Sequence, residues 1–237
     1  MIEVDFHAHS LFSECGVHTV IEMLTAAKAK GMKGLALTDH GKLVGGHANS
    51  VFFERLKDPV PGIRLLKGIE CNVDGETGRT DCPAKFLPFM DLVLLGLHDN
   101  IQPGLGSPYY TGLLIKTLEQ NPFVDIVSHP NNGAYTLDYE RLVDAALRLD
   151  VVVELNNSKI LYKRAPDSDA DLLITICKEK RCRVSVSSDA HTVVEVGRDE
   201  DIRRFLSRHS FPEELIVNRN AESAFAFIEE RRGRKKA

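Results

Sequence analysis

Short apolar runs, several of them rich in β-branched residues, alternate along the chain with longer segments in which apolar residues recur at helical spacing. The apolar runs cover residues 2–6, 34–37, 63–69, 92–97, 124–127, 151–155 and 183–186, and the helical segments cover residues 20–30, 109–120, 137–149, 167–180, 199–207 and 220–232. Runs of this length predict buried strands. Because strands that alternate with helices favour right-handed crossovers, the pattern predicts an α/β fold with a parallel sheet. The number of runs indicates a closed or nearly closed barrel.

Residues with imidazole or carboxylate side chains stand where these apolar runs end. In chain order they are His7 and His9, Asp39 and His40, Glu70, His98 and Asp99, His129, and Asp189 and His191. A barrel of parallel strands collects the carboxyl ends of its strands on one face, where active sites form. Residues far apart in the sequence therefore converge, and their side chains are the ligands that zinc, manganese and iron prefer. The pattern predicts a multinuclear metal site.

The pair His7 and His9 is the most informative of these candidates. Residues two apart on a strand point to the same side, so both imidazoles share one direction with Asp5. The other candidates each have an ordinary alternative, since a histidine after a strand is often a hydrogen-bonded loop residue and Asp39 fits a helix N-cap. Histidines placed in loops by chance would not all follow the carboxyl ends of strands, however. Their joint occurrence therefore favours a metal site.

Several segments together resemble the PHP superfamily, the polymerase and histidinol phosphatase metal-dependent phosphoesterases. They are residues 5–10 (DFHAHS), 38–41 (TDHG), 68–70 (GIE), His98, 128–130 (SHP) and 188–191 (SDAH). Residues 68–72 and 154–158 are most similar to the single-domain YcdX-like phosphatase branch. The resemblance extends over nearly the whole chain and implies one domain, residues 1–237, that folds as a distorted TIM-like (βα)7 barrel.

The same resemblance implies a di- or trinuclear metal site at the carboxyl ends of the strands, with Glu70 as a bridging carboxylate. Its ligands would be His7, His9, His40, Glu70, His98, His129, Asp189 and His191. Zinc is the usual metal, with manganese or iron as alternatives. The function implied is hydrolysis of a phosphate monoester, a small phosphorylated metabolite, by a metal-activated hydroxide that attacks phosphorus. No residue is assigned as the general acid.

One position departs from the family pattern. The family often has a further histidine ligand shortly after the first two, and this chain has Cys15 at that place. A thiolate is a good zinc ligand, and position slightly favours Cys15. His18 is an alternative because Gly16 loosens the loop, and a third possibility is that neither residue binds. The choice stays open at the level of sequence.

Substrate contacts are predicted from charge and loop placement. Arg79 and Lys42 lie in loops that should follow strands, where cations can meet a phosphate, and Asn157 follows the run 151–155. Two other functions are compatible with part of the pattern: an amidohydrolase-type metal hydrolase acting on C–N or C–O bonds, and a non-catalytic metal-binding regulator. The order of the ligands fits the amidohydrolase less well, and a metal site with open positions argues against the regulator.

The composition of the chain limits which binding partners and which cellular compartment we expect. The chain has 237 residues and a formal net charge of −4, so its overall charge does not attract nucleic acid. The basic tail, residues 231–237, is predicted to be a frayed and solvated helix end. No apolar run is long enough for a bilayer, the first residues do not resemble a signal peptide, and five cysteines form no C-x-x-C pair. We therefore expect reduced thiols and a cytoplasmic location. An oligomer is compatible with the sequence.

Overall fold

Seven parallel strands form one sheet in the computed structural model, which describes residues 2–236. The strands are β1 (Val4–Asp5), β2 (Gly34–Leu37), β3 (Arg64–Asn72), β4 (Leu92–Gly96), β5 (Ile126–Val127), β6 (Val152–Asn156) and β7 (Val184–Ser187). Each strand pairs in parallel with the next one along the chain. The sheet curls into a nearly closed barrel, which confirms the predicted distorted TIM-like (βα)7 fold. None of the helices within residues 2–236 is both long enough and apolar enough to span a bilayer.

The side of the barrel between β7 and β1 is closed by bridging residues. Just beyond these two strands, Ala8 and Ala190 form an isolated parallel bridge. Deeper in the barrel, the Asn218 Nδ2 group donates to the carbonyl oxygens of Val4 and Val186, at 3.1 and 2.7 Å. A side-chain amide thus satisfies backbone groups that directly paired strands would satisfy for each other. The Asn218 side chain therefore links the first and last strands of the sheet.

Within the described residues, eight α-helices connect or follow the strands. They are α1 (Val20–Ala29), α2 (Ser50–Arg55), α3 (Ser107–Gln120), α4 (Tyr139–Leu149), α5 (Asn157–Leu161), α6 (Asp167–Glu179), α7 (Glu200–Arg208) and α8 (Ala221–Lys236). Six of them match the predicted helical segments, whereas α2 and α5 were not predicted because six and five residues are too few to show helical spacing. Helix α1 begins with a capping box between Thr19 and Glu22.

An apolar layer fills the barrel below the carboxyl ends of its strands. It consists of strand residues and residues near the C-terminus: Val4, Phe6, Ala36, Leu66, Leu92, Leu94, Ile126, Val152, Val217, Ala224, Phe227 and Ile228. The rings of Phe6 and Phe227 stack with their centroids 5.8 Å apart. Helix α8 therefore closes the amino-terminal end of the barrel, and the opposite face is left for polar side chains.

The basic residues at the end of α8 correct the prediction of a frayed tail. Arg231 is fully buried, and its Nη1 group donates to the Asp150 carbonyl oxygen at 2.7 Å. The Lys235 Nζ atom lies 2.5 Å from Asp125 Oδ2. Both partners stand just before a strand, so these charges fasten the helix to the closed end of the barrel. The helix continues to Lys236, and Ala237 lies outside the described residues.

The Arg231→Ala variant should lower the free energy of unfolding by about 3 kcal/mol, because it empties a buried site and removes the donor to the Asp150 carbonyl. Urea unfolding followed by circular dichroism measures the change. Arg204→Ala is the matched control, since 73% of that side chain is exposed, and it should change stability by less than about 0.5 kcal/mol. Equal effects of the two substitutions would contradict the structural role of Arg231.

Candidate metal centre

Polar side chains from all seven strands or the loops that follow them meet at the carboxyl end of the barrel. His7 and His9 follow β1, His40 follows β2, Glu70 lies in β3, His98 follows β4, His129 follows β5, Glu154 lies in β6, and Asp189 and His191 follow β7. His98 and His191 are half-buried and the others are buried. The structure thus brings together all eight residues that the sequence predicts as metal ligands.

Among the described residues, ligand-type side chains of this region form three overlapping clusters in which the potential ligand atoms lie within 4.8 Å of one another. The first cluster is His9, Cys15, His40 and His191, the second is His7, His9 and Asp189, and the third is His40, Glu70 and His98. His129 adjoins the third cluster, since its Nε2 atom lies 2.8 Å from Glu70 Oε1. The clusters share residues, so they form one continuous centre.

Glu70 lies between the clusters and presents one carboxylate oxygen to each side. Its Oε2 atom is 3.3 Å from His7 Nε2 and 3.1 Å from His40 Nδ1. Its Oε1 atom is 3.3 Å from His98 Nε2 and 2.8 Å from His129 Nε2. Both oxygens are buried and find no well-formed hydrogen bond within residues 2–236. A buried carboxylate without such bonds is unfavourable, and cations on its two sides would satisfy it.

His7, His9 and Asp189 form a compact group beside Glu70. The Nε2 atoms of the two histidines are 3.1 Å apart, and each lies 3.4 Å from Asp189 Oδ1. Two imidazole nitrogens that face each other at this distance cannot both present lone pairs without repulsion. A shared proton or a shared cation resolves the conflict, and the adjacent carboxylate favours either one.

Glu154 contacts two of the predicted ligands, His7 and His129, through atoms that do not face the clusters. Its Oε1 atom lies 2.7 Å from His7 Nδ1, and its Oε2 atom accepts from the His129 backbone N–H at 2.7 Å. A carboxylate on one ring nitrogen fixes the orientation of the imidazole and leaves the other nitrogen for a metal, an arrangement typical of metal-binding histidines. This role of Glu154 was not predicted from the sequence. The available signal was a charged residue inside the otherwise apolar run 151–155.

Asp39 supports the second histidine in a similar way, through a serine. Ser13 Oγ lies 3.2 Å from His9 Nδ1 and donates to Asp39 Oδ1 at 2.8 Å. Asp39 also accepts from the Ser10 backbone N–H at 2.7 Å. Its carboxylate therefore orders the loop after β1, which carries His9.

Two residues of the centre have left-handed backbone conformations. The φ angle is 29° at His129 and 54° at Asp189. Such values are uncommon for residues other than glycine and are unfavourable by roughly 1–3 kcal/mol each. Both side chains contact the clusters, so the backbone strain coincides with residues whose direction matters for the centre.

Charges within the centre move pKa values in opposite directions. Burial raises the pKa of Glu70, but the imidazoles of His7, His98 and their neighbours outweigh it and hold that pKa well below its usual value. Burial lowers the pKa of His40, yet Glu70 and Cys15 raise it to about 10. Burial dominates at His98 and lowers its pKa to about 4. Without ions, the centre therefore holds protons that metal binding would displace.

The structure brings Cys15, and not His18, to the centre. Burial raises the pKa of the Cys15 thiol, but hydrogen bonds with His191 and His40 outweigh it and lower that pKa to about 7. His18 belongs to none of the three clusters among the described residues.

The three predicted substrate contacts do not touch the clusters through any side-chain hydrogen bond or ion pair within residues 2–236. Lys42 and Arg79 are exposed. Asn157 is fully buried, and its Oδ1 atom accepts from the backbone N–H groups of Asp201 and Ile202, both at 3.0 Å. This cap at the start of α7 accounts for the Oδ1 atom, whereas the buried Nδ2 atom finds no hydrogen-bond partner within residues 2–236. Asn157 therefore stays a predicted substrate contact.

Lys159 is a cation that the structure places beside the centre. Its Nζ atom lies 2.7 Å from Asp189 Oδ2, and 15% of its side chain is exposed. Burial lowers the pKa of Lys159, but Asp189 outweighs it and the net shift is upward. From the sequence, Lys159 is one of several cations expected in loops after strands, and Arg79 and Lys42 were preferred to it; the structure places it in α5, which follows β6 without a loop.

The Glu154→Gln variant should weaken metal binding by roughly 10- to 100-fold, because an amide is a weaker acceptor for His7 Nδ1 and also disturbs the contact with His129. Competition with a chromogenic chelator measures the affinity. Glu119→Gln is the control, since Glu119 is exposed and pairs with Arg148. Unchanged affinity in the Glu154 variant would show that the carboxylate does not orient a ligand.

A TIM-like barrel with a centre of imidazoles and carboxylates at the carboxyl ends of its strands defines a class of metal-dependent hydrolases. The residues fit such ions, since the donors are nitrogen, oxygen and sulfur and several buried polar atoms, among them both Glu70 oxygens and His98 Nε2, find no hydrogen-bond partner within residues 2–236. The family model of the PHP domain matches residues 5–184, and the chain belongs to this family. The resemblance predicted from the motifs is thereby confirmed.

Relatives agree with this assignment over nearly the full length. A probable phosphatase of Caldanaerobacter subterraneus subsp. tengcongensis is 34% identical, covering 98% of this chain and 92% of the relative. A probable phosphatase of Caldicellulosiruptor bescii is 32% identical, covering 96% of this chain and 95% of the relative. With this site and these relatives, the chain is an enzyme of the phosphatase type.

A solved structure shares the fold. The histidinol phosphate phosphatase of Lactococcus lactis superposes with a TM-score of 0.66 and is 16% identical, covering 89% of this chain and 94% of that chain. That protein was crystallised with zinc, L-histidinol and phosphate. At this identity, the likeness establishes the shared barrel.

Proposed function

We propose that the chain hydrolyses phosphate monoesters of small metabolites at a centre of two or three divalent ions. The position of Glu70 is the observation that carries the proposal. Its carboxylate is fully buried and presents Oε2 to His7, His9 and His40 and Oε1 to His98 and His129, at 2.8–3.5 Å. A carboxylate placed in this way suits a bridge between neighbouring cations, and paired cations serve displacement at phosphorus.

The proposed ligands divide among three positions. His7, His9, Asp189 and Glu70 surround the first position. Glu70, His98 and His129 surround the second, and His40 and His191 belong to the third. Nitrogen and oxygen donors in this proportion suit zinc, and the zinc in the Lactococcus lactis enzyme supports the same choice. Manganese and iron are the alternatives.

Ions bound there supply Lewis acidity, which activates water near neutral pH and neutralises the charge on the phosphoryl oxygens. The chain's own residues prepare the site for this chemistry. Glu154 orients His7, and Lys159 keeps Asp189 ionised. Because the Lys159 ammonium is close to the centre and partly exposed, we propose that it binds a phosphoryl oxygen. The exposed Lys42 and Arg79 and the buried Asn157 are further candidates.

Turnover of p-nitrophenyl phosphate by the purified chain, compared with p-nitroacetanilide as an amide of similar size, tests the proposed reaction. We expect hydrolysis of the phosphate ester alone. Hydrolysis of the amide in its place would favour an amidohydrolase-type enzyme. Bound metal without turnover of p-nitrophenyl phosphate or of a panel of phosphorylated metabolites would favour a non-catalytic metal-binding protein.

A further inference from the structure

We propose that Cys15 ligates a divalent ion through its sulfur atom, together with His40 and His191, and makes this position of the centre selective for thiophilic ions. The inference rests on the proposed function, because this position is one of the three in that metal centre. Cys15 would be the ligand that the sequence left undecided between Cys15 and His18. Its sulfur would give this position a different metal preference from the other two positions.

The arrangement of side chains supports a site with three protein ligands. Cys15, His40 and His191 belong to one cluster of ligand atoms within 4.8 Å of one another. His9 is the fourth member, but its Nε2 atom faces His7 at 3.1 Å and Asp189 at 3.4 Å, which commits it to the neighbouring position. His40 is only 8% exposed, and its Nδ1 atom faces Glu70 Oε2 at 3.1 Å, so this ring adjoins both Glu70 and the cluster that contains Cys15. Three protein ligands leave one position open, as in catalytic zinc sites.

The loop that carries Cys15 is fixed to the loops that carry the other two ligands. On one side, the Glu14 backbone N–H donates to the Gly45 carbonyl oxygen at 3.0 Å, in the segment that follows His40. On the other side, the Val17 backbone N–H donates to the His191 carbonyl oxygen at 3.0 Å. Cys15 is thus held between its two partners by backbone hydrogen bonds on both sides, which favours a preformed ligand set.

Gly16 explains how the loop turns so sharply beside Cys15. A Cβ atom at this position would lie 1.9 Å from the Ser10 carbonyl oxygen, so no other residue fits without moving the backbone. The close approach directs Cys15 towards His40 and His191, while His18 lies beyond the turn and outside the cluster. Loop geometry therefore favours sulfur over the alternative imidazole.

A thiolate ligand changes which ions this position accepts. Soft thiolates favour zinc and similar ions, whereas carboxylates and imidazoles also accept manganese. The first two positions contain Glu70 or Asp189 and no sulfur. We therefore expect manganese to fill the carboxylate-containing positions without filling the position of Cys15.

Cobalt(II) loading of the metal-depleted full-length chain tests the proposal, because cobalt bound to a thiolate shows a charge-transfer absorption in the near ultraviolet that imidazole and carboxylate ligands do not produce. The other cysteines are Cys71, Cys177 and Cys182, which are buried, and Cys82, which is half-buried. The variants are Cys15→Ser, Cys15→His and, as matched control, Cys82→Ser. The readouts are the absorption spectrum, the number of bound ions and their affinities.

We expect the charge-transfer band in the wild type and in Cys82→Ser, and its loss in both Cys15 variants. Cys15→Ser should bind the ion at this position at least about 100-fold more weakly, whereas Cys15→His should retain the ion without the band. Cobalt binding without the band in the wild type, or a band that persists in Cys15→Ser, would overturn the assignment of Cys15 and leave the phosphatase function standing. Absence of any cobalt binding would contradict the metal centre itself.

Discussion

The Glu70→Gln variant is expected to lose phosphatase turnover by a factor of roughly 10³ or more, together with part of its bound metal. Glu70 is the one carboxylate that faces imidazoles through both of its oxygens among the described residues of the centre. An amide of the same shape keeps one weak oxygen ligand and turns an N–H₂ group towards the other position. A loss of several kcal/mol of transition-state stabilisation corresponds to this factor, since each 1.36 kcal/mol is tenfold in rate. Turnover of p-nitrophenyl phosphate and elemental analysis measure the two effects.

Glu140→Gln is the control for this substitution. Glu140 pairs with Lys180, and 58% of its side chain is exposed, so the variant should keep wild-type turnover and metal content. Circular dichroism establishes that both variants are folded. Near-normal turnover in folded Glu70→Gln would show that this carboxylate is not a bridge, and the division of ligands proposed above would then be wrong.

Removal of the ions is the change with the second largest expected effect, and it should lower both stability and turnover without unfolding the chain. Metal-free protein must keep buried carboxylates such as Glu70 and Asp189 next to several imidazoles. Protonated histidines compensate in part, because burial lowers the pKa of His40 but Glu70 and Cys15 raise it to about 10. At a free ion concentration of about a thousand times the dissociation constant, binding should add about 4 kcal/mol to the free energy of unfolding.

Thermal unfolding of the chelated and the zinc-reconstituted chain measures this difference, and turnover is recorded on the same samples. Magnesium reconstitution is the control, since magnesium prefers sites with oxygen ligands and water and should restore little of either property. If chelation leaves the melting temperature and the turnover unchanged while elemental analysis confirms removal, the ions have neither the structural nor the catalytic role proposed here.

The strand positions and the residues of the centre were accessible from sequence because both obey simple rules. Buried strands of a parallel barrel are short apolar runs, and their carboxyl ends share one face. His40, His98 and His129 follow such runs, so their convergence could be predicted without knowing any loop. Glu70 was expected just after a strand but lies within β3, which continues to Asn72.

Other features depended on contacts that no local pattern encodes. Asn157 was predicted as a substrate contact and Lys159 was not preferred. Only the positions of α7 and Asp189 show that Asn157 accepts from the start of a helix and that Lys159 contacts the centre. Arg231 lies in a basic tail that looks solvated, yet the fold supplies it with the carbonyl oxygen of Asp150, a residue 81 positions earlier that stands just before β6. The direction of the loop at Cys15 depends on hydrogen bonds to two other loops.

Elemental analysis of the purified chain, quantified per chain and paired with chelator-treated and reconstituted samples assayed on p-nitrophenyl phosphate, tests the central claim most directly. The proposed centre predicts two to three divalent ions per chain and turnover that is lost with them and returns with zinc. A chain that binds no metal even after reconstitution, or that hydrolyses the ester equally well without metal, would contradict the assignment of the barrel face as a multinuclear phosphatase centre.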